Sequence, residues 1–380
     1  MERYVRILFT CHGAYGHFHP IAPMALAAQA KGHDVLVATG PELVDWVAAC
    51  GLRAVPAGLS SIEVSERLAA LSVEDPVLAM FHRFSTIAVP PTLADLLQLT
   101  ESWRPDVVVH EEGEYAAPLL AALLQISCVT QSWAAPVRPE KERQLYRTLL
   151  APIWAAQGVS GEPRTSGATY LDSCPPAYQS DEIDSVPGVV AARPLLFDGP
   201  PAPAPPWLAT LPRPSAYVTF GTVPVFSRPE ILRSAIDAIE PLVSAMVVTT
   251  GPNPPDAVGI TSPRVHVVDY LAQSQILPNV DLVVSHGGAG TTAGALAHGL
   301  PHLVMPGQAQ SQQRNAIRTE TIGLGLFVRE DAGTEQVRAA ARRLLSDPSY
   351  RAAGAVARTG LERMPSLDQS VRLVERLGGG

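Results

Sequence analysis

Five-residue runs of valine, leucine and isoleucine recur along the chain, each followed by a stretch of helical composition, and this rhythm restricts the fold more than any other feature. Asp34-Val-Leu-Val-Ala38 and Asp106-Val-Val-Val-His110 do not alternate apolar with polar residues, so strands formed by them need cover on both faces. Buried strands joined by helices make βαβ units, whose sheet is parallel. Arg6-Ile-Leu-Phe-Thr10 is the first such run; a loop bearing His and Gly follows, then a helix from Pro20 to Lys31 that stops at Gly32. The run from Asp106 leads into Glu111-Glu112-Gly113-Glu114 and then an apolar helix from Tyr115.

Between Arg193 and Pro214 the rhythm stops. Pro200, Pro201, Pro203, Pro205 and Pro206 exclude helix and central strand, so the stretch reads as a stiff linker. Beyond it the pattern resumes with Ser215–Phe220, a helix after Pro229, then Ala245–Thr250, Val265–Asp269, Asp281–Ser285 and His302–Met305. A chain of 380 residues exceeds what one core holds, roughly 250–300 residues. The expected division is an α/β domain over 1–199, the linker over 200–214, a second α/β domain over 215–365 and a terminal segment over 366–380. The tail is helix-rich, with Thr334–Ser346 and Leu367–Leu377 as its helices.

Composition removes several classes of function. With 47% hydrophobic and 17% charged residues the chain is not a disordered one. A net charge of −8, with only Lys31 and Lys141 as lysines, disfavours nucleic acid as a partner. Tyr115 to Leu124 is too short to span a bilayer and Val5 to Cys11 too short for a signal peptide, so a cytoplasmic protein without a membrane partner is expected. Cys11, Cys50, Cys128 and Cys174 are scattered, which fits small buried side chains better than zinc ligands or disulfides.

The strongest chemical signal is His286-Gly-Gly-Ala-Gly-Thr-Thr292, placed after a strand and opening a helix that ends at Gly299. Glycines let backbone amides approach an anion, and the helix N-terminus adds partial positive charge, so a phosphate belongs there. Gly288-Ala-Gly290-Thr-Thr-Ala293 also fits the GxGxxA fingerprint of an NAD-dependent dehydrogenase. Against that, no Asp or Glu lies between Gly287 and Thr319 to hold a ribose, and at least three strands precede the loop in its domain. A nucleoside diphosphate without nicotinamide fits better. In the first βα loop, His12, His17 and His19 are candidate bases, since histidine titrates near neutral pH.

Taken in order, Gly16-His-Phe-His-Pro20, Pro105-Asp-Val-Val-Val-His-Glu111, Phe220-Gly-Thr222, Tyr270-Leu-Ala-Gln-Ser-Gln-Ile-Leu-Pro278, Asp281-Leu-Val-Val-Ser-His-Gly-Gly-Ala-Gly-Thr-Thr292, Ala295-Leu-Ala-His-Gly-Leu-Pro301 and Asn315-Ala316 resemble the GT-B glycosyltransferases of family 1. Within that family the likeness is to the actinobacterial enzymes that glycosylate antibiotics of the macrolide and enediyne kind. It covers nearly the whole chain. The resemblance implies two Rossmann-like doubly wound domains facing across a cleft, with a C-terminal helix crossing back to the first. It implies a nucleotide base stacked on Tyr270 and held by the backbone of Leu271, with Gln273 in the same donor site. The diphosphate would lie against His286, Gly288, Ala289, Gly290, Thr291 and Thr222. Ser311 and Gln312 take the place of the pair that grips the sugar. No metal or resident cofactor is implied.

Two departures bear on the donor. Relatives using uridine diphosphate sugars usually carry Glu eight residues after the His, where this chain has Gly294. The sugar-gripping carboxylate is also missing, which suits a deoxysugar carried on thymidine diphosphate (dTDP), since a buried unpaired carboxylate is costly. By the same resemblance His17 is the general base of an inverting transfer, with His12 the alternative, and Glu111 its orienting acid. Read from composition alone, Glu111, Glu112 and Glu114 are equally a solvated acidic loop. A hydrophobic aglycone is the implied acceptor, lined by Phe81, Phe84, Trp133 and Trp154. The competing readings are a catalytically silent partner of another transferase, the dehydrogenase and a sugar-nucleotide epimerase, and a homodimer is left open as the assembly.

Overall fold

Alternation along each central strand sends successive side chains into two different cores, which is why the apolar runs are unbroken. In the strand Arg6–Cys11, Ile7, Phe9 and Cys11 pack with Ala22, Ala25 and Val371, whereas Leu8 packs on the opposite face with Leu93, Leu119 and Tyr146. The computed structural model describes residues 4–379; the outermost residues of the first and last expected segments, 1–3 and 380, lie outside the described residues.

The first sheet has seven strands: β1 (Arg6–Cys11), β2 (Asp34–Thr39), β3 (Ala54–Pro56), β4 (Val107–Glu111), β5 (Ser127–Gln131), β6 (Thr169–Asp172) and β7 (Val189–Ala191). Their spatial order is β3-β2-β1-β4-β5-β6-β7, and every pairing is parallel. The second sheet has six: β8 (Ser215–Thr219), β9 (Ala245–Thr249), β10 (Val265–Val268), β11 (Leu282–Ser285), β12 (His302–Val304) and β13 (Gly325–Phe327), ordered β10-β9-β8-β11-β12-β13, again all parallel. Each sheet therefore reverses its winding once, between β1 and β4 in the first and between β8 and β11 in the second. In open α/β sheets such a switch point opens a crevice at the carboxyl ends of the strands.

Two compact units contain these sheets. One takes the chain up to Cys174, Gln179–Pro200 and the residues from Met364 onward; the other takes Pro175–Tyr178 and Pro201–Arg363. The C-terminal helix Leu367–Gly378 thus belongs to the first unit. Val371 and Val374 join its core, His33 Nε2 meets Glu375 Oε1 at 2.9 Å, and Ser127 Oγ donates to the Leu377 carbonyl at 2.9 Å. The short Pro175–Tyr178 segment is claimed by the second unit because the Tyr178 hydroxyl donates to the Asn315 carbonyl at 2.7 Å and Arg318 Nε donates to the Tyr178 carbonyl at 3.0 Å. The proline-rich stretch is grouped with the second unit and contains a 3-10 turn, Pro206–Thr210, whose Leu208 is buried.

Local differences from the sequence reading have physical causes. The helix expected from Pro20 is Ala22–Ala30, and the loop before it holds a further helical turn, Tyr15–Phe18, which carries His17. The tail holds a further helix, Pro348–Glu362, that starts where Asp347 accepts from the Ser349 amide. Cys11, Cys128 and Cys174 are buried and Cys50 half-buried, and none of the four is in a disulfide. No helix among the described residues is long and apolar enough to cross a membrane.

Candidate active site

In the first unit, β1, β4 and β5 deliver three chain ends to the same sheet edge. Thr10 pairs with His110 and Glu111 pairs with Gln131, so the segments carrying His12, Glu111 and Trp133 emerge side by side at the switch point. The turn Tyr15–Phe18 then places His17 Nδ1 2.8 Å from Glu111 Oε1. Oε2 of the same carboxylate accepts from the Gly113 amide at 2.5 Å and from Trp133 Nε1 at 2.8 Å. Burial alone would raise the Glu111 carboxyl, but the charges of His17 and His12, the His17 bond and the Gly113 amide outweigh it and hold the group at about 2. An ionised carboxylate only accepts, so the hydrogen shared with His17 is carried on Nδ1. Nε2 then bears the lone pair, and the ring retains 19% side-chain exposure.

His12 is arranged differently. Its Nε2 donates to the Gly113 carbonyl at 3.0 Å, and burial lowers it to about 4 despite the nearby Glu111 charge. It packs edge-on to His17, with ring centres 5.2 Å apart. His19, the third candidate, is lowered to about 4 by burial and packs against Phe197.

The acidic run is buried throughout, correcting its reading as a solvated loop: Glu111, Glu112 and Glu114 are all buried. Glu114 accepts from Thr10 Oγ1 at 2.7 Å and from the amides of Ala116 and Ala117, at the start of the helix Ala116–Leu124, so it acts as a helix cap. Burial nonetheless pushes its carboxyl up to about 7. Arg138 binds the run from the other side, donating to the Glu112 carbonyl at 3.1 Å and to the Tyr115 hydroxyl at 2.8 Å.

Of the aromatics expected to line an acceptor, the structure divides the set. Phe84 is half-buried on a π-helical turn, Arg83–Ile87, with its ring 5.0 Å from His12 and 5.6 Å from His17. Pro90 and Pro91 follow that turn and have no N–H for the carbonyls behind them, which favours local widening of the helix. Trp133 stands edge-on to His17 at 5.1 Å. Phe81 and Trp154, by contrast, are buried in the core, Phe81 against Tyr146 at 4.6 Å, where their size and apolarity serve packing.

In the second unit the corresponding crevice is built on β8 and β11, where Ser285 pairs with Thr219. Gly221 and Thr222 leave β8 beside His286 leaving β11. The imidazole is bracketed by glycines: a Cβ on Gly221 would come 2.9 Å from its Cε1, and one on Gly288 would come 2.5 Å from its Nε2. Gly221, at φ +79°, and Gly287, at φ +80°, hold a backbone that side-chain-bearing residues rarely adopt. Burial lowers His286 to about 4, opposed by the Thr219 backbone. Gly288 precedes the helix Ala289–His298, so the amides of Ala289, Gly290 and Thr291 occupy its first turn. Thr291 is buried and its hydroxyl accepts from Gln273 Nε2 at 3.0 Å. Tyr270 is 41% exposed, and Leu271 beside it is half-buried.

Beneath the loop lie residues to which the sequence reading assigned no role in the site. Asn315 Nδ2 donates to the Gly287 carbonyl at 2.8 Å, the Gly287 amide donates to Ser285 Oγ at 3.0 Å, and that hydroxyl meets His302 Nε2 at 2.8 Å. Ser311 and Gln312 open the helix Gln310–Thr321. Gln312 is buried and its side-chain oxygen accepts from the Gly307 amide at 2.9 Å, so that oxygen is already engaged in shaping the loop. Gly294 is buried one helical turn beyond Gly290, on the same face.

Comparison with known proteins agrees with this construction. Residues 59–219 match the N-terminal domain, and residues 233–376 the C-terminal domain, of the family described as erythromycin biosynthesis protein CIII-like. Among curated relatives, the 3-alpha-mycarosylerythronolide B desosaminyl transferase of Saccharopolyspora erythraea is 26% identical, covering 99% of both chains. The TDP-daunosamine transferase of Streptomyces peucetius is 28% identical over 98% of this chain and 97% of its own. Among solved structures, the glycosyltransferase SnogD of Streptomyces nogalater superposes with a TM-score of 0.82 at 28% identity, covering 99% of this chain and all of its own. SsfS6 of Streptomyces sp. SF2575, solved with thymidine diphosphate, gives 0.83 at 26% identity, covering 98% of this chain and all of its own. These matches set aside the dehydrogenase and epimerase readings. Two Rossmann-like domains of the GT-B type, each with its crevice at the switch point, belong here to a glycosyltransferase of the erythromycin biosynthesis protein CIII-like family.

Proposed function

We propose that this glycosyltransferase moves a deoxysugar from a dTDP-sugar to a hydroxyl of a hydrophobic, polyketide-type aglycone, with inversion and with His17 as the general base. The observation that carries the reading is the 2.8 Å contact of His17 Nδ1 with a carboxylate that can only accept, because it leaves Nε2 as the basic nitrogen. His12 is the less suited of the two, since its Nε2 is spent on Gly113 and burial lowers it. In the transfer, His17 Nε2 takes the acceptor's O–H proton and the freed electron pair attacks the anomeric carbon. The carbon–oxygen bond to the diphosphate breaks, and dTDP departs with the bonding pair. Glu111 stabilises the imidazolium. The departing diphosphate is matched by the first-turn amides after Gly288, by His286 and by the hydroxyls of Thr291 and Thr222, so we assign its stabilisation to these groups without a metal. We assign Tyr270, beside Leu271, to the nucleotide base.

The dTDP preference rests on Gly294 and on relatives named for TDP-sugars or solved with thymidine diphosphate. Calorimetric titration of the purified protein with dTDP and with uridine diphosphate tests it. Tighter dTDP binding, lost in His286→Ala and narrowed in Gly294→Glu, is the expected result; a preference for uridine diphosphate refutes the donor assignment. Transfer from dTDP-deoxysugars to a panel of macrolactone and anthracyclinone aglycones, with His17→Ala as control, tests the chemistry.

A further inference from the structure

We infer that Trp133 is a positioning residue for the His17–Glu111 pair, holding the carboxylate in place through its indole N–H, and is not primarily an acceptor wall. The inference rests on the reading of His17 as the base. A carboxylate with one oxygen on His17 can still swing about its terminal bond unless the second oxygen is fixed. Here Oε2 is fixed from two directions, by the Gly113 amide and by Trp133 Nε1 at 2.8 Å. The indole is itself immobilised. Its Cζ2 would lie 2.7 Å from a Cβ on Gly113, so only glycine lets the ring close on the loop. On the ring's face the Arg138 guanidinium sits 4.9 Å from the centroid, held there by its bonds to the Glu112 carbonyl and the Tyr115 hydroxyl. Arg138, Trp133, Glu111 and His17 thus form one chain of contacts in which each group fixes the next. The indole N–H holds Oε2 by a charge-assisted bond, which leaves Oε1 directed at Nδ1.

Two substitutions separate the donor from the ring. Trp133→Phe keeps an aromatic face under Arg138 and removes the N–H; Trp133→Gln removes the face and keeps an N–H donor. Nitrogen-15 NMR of histidine-labelled protein reads which ring nitrogen of neutral His17 carries the proton, with His17→Asn assigning the signal. In the wild type the proton resides on Nδ1. Trp133→Phe is expected to transfer part of the population to Nε2 and to slow transfer about tenfold, with Trp133→Gln nearer the wild type in both. A merely space-filling tryptophan gives the opposite order, Phe nearer the wild type than Gln, and that order, or an unchanged tautomer in both variants, overturns the inference. Because the tautomer is read without substrate, its outcome is separable from that of the general-base reading. Retained activity in His17→Ala would remove the base while leaving the Trp133 result standing.

Discussion

Replacing Glu111 by glutamine gives the sharpest test of the proposed base, because the structure dictates which way the new amide must face. Oε2 of Glu111 accepts two hydrogens, from the Gly113 amide and from Trp133 Nε1. The amide oxygen of the substituted side chain must take that side, since an NH2 group there would confront two donors. The NH2 group is then directed at His17 Nδ1, which must accept, so the ring proton moves to Nε2 and the basic nitrogen is lost. The charge is lost as well. With carboxylate and imidazolium centres about 4 Å apart and an effective dielectric of about 20, their attraction is about 4 kcal/mol, equivalent to about 10³ in rate. Wrong-tautomer substitutions in an Asp–His pair cost about 10⁴, so a fall in kcat of about 10³ to 10⁴ is expected. The assay is release of dTDP in the presence of a competent aglycone, with circular dichroism melting to show that the variant is folded. Stability supplies an independent check. A folded-state value of about 2 lies below the ordinary 4.5, so Glu111 contributes stability that is fully present above pH 4.5 and is lost as pH falls toward 2. The shift corresponds to about 3 kcal/mol, and Glu111→Gln should remove that part of the acid dependence. Transfer within tenfold of the wild type would refute the orienting role of Glu111.

Further substitutions probe other parts of the construction. Phe81→Ala empties a core position and should cost about 3–5 kcal/mol in denaturant unfolding, whereas Phe84→Ala, half-buried beside His12 and His17, should cost less stability and raise the acceptor KM. Asn315→Ala leaves the Gly287 carbonyl without its side-chain donor, which should cost about 1–3 kcal/mol of stability and weaken dTDP binding, read by calorimetry.

How much of this was legible in the sequence follows from where each strand finds its partners. Strands such as β4 and β11 are covered on both faces by apolar contacts, so they announce themselves as valine runs. β5 is equally central, yet Ser127-Cys-Val-Thr-Gln131 does not look like a buried strand. Its interior is polar and satisfied: Thr130 Oγ1 meets His110 Nε2 at 2.7 Å and accepts from the Gly167 amide at 2.8 Å, and Gln131 donates to Ser173. Hydrogen bonds replace the apolar contacts, and their partners lie on other segments. The strands β3, β6, β7 and β13 have three or four residues each and, unlike the equally short β11, none carries three consecutive Val, Leu or Ile residues, so no apolar run marks them.

The site divides along the same line. The phosphate loop is local chemistry: a helix start, glycines that admit close approach and one histidine all lie within seven residues, so the sequence displays the whole device. The base is not local. His17 and Glu111 are 94 positions apart, and Glu111 alone resembles any acid in a charged loop. What makes it a buried, ionised acceptor is a set of donors spread over the chain, from His17 to Trp133. An aromatic in an acceptor-facing segment is naturally taken for a hydrophobic wall, because the sequence shows its ring and not the direction of its N–H. In the folded chain that direction matters more than the ring: turned onto Glu111, the indole N–H fixes Oε2 and leaves Oε1 to His17; turned away, it would leave Oε2 to the Gly113 amide alone and His17 facing a less firmly held carboxylate.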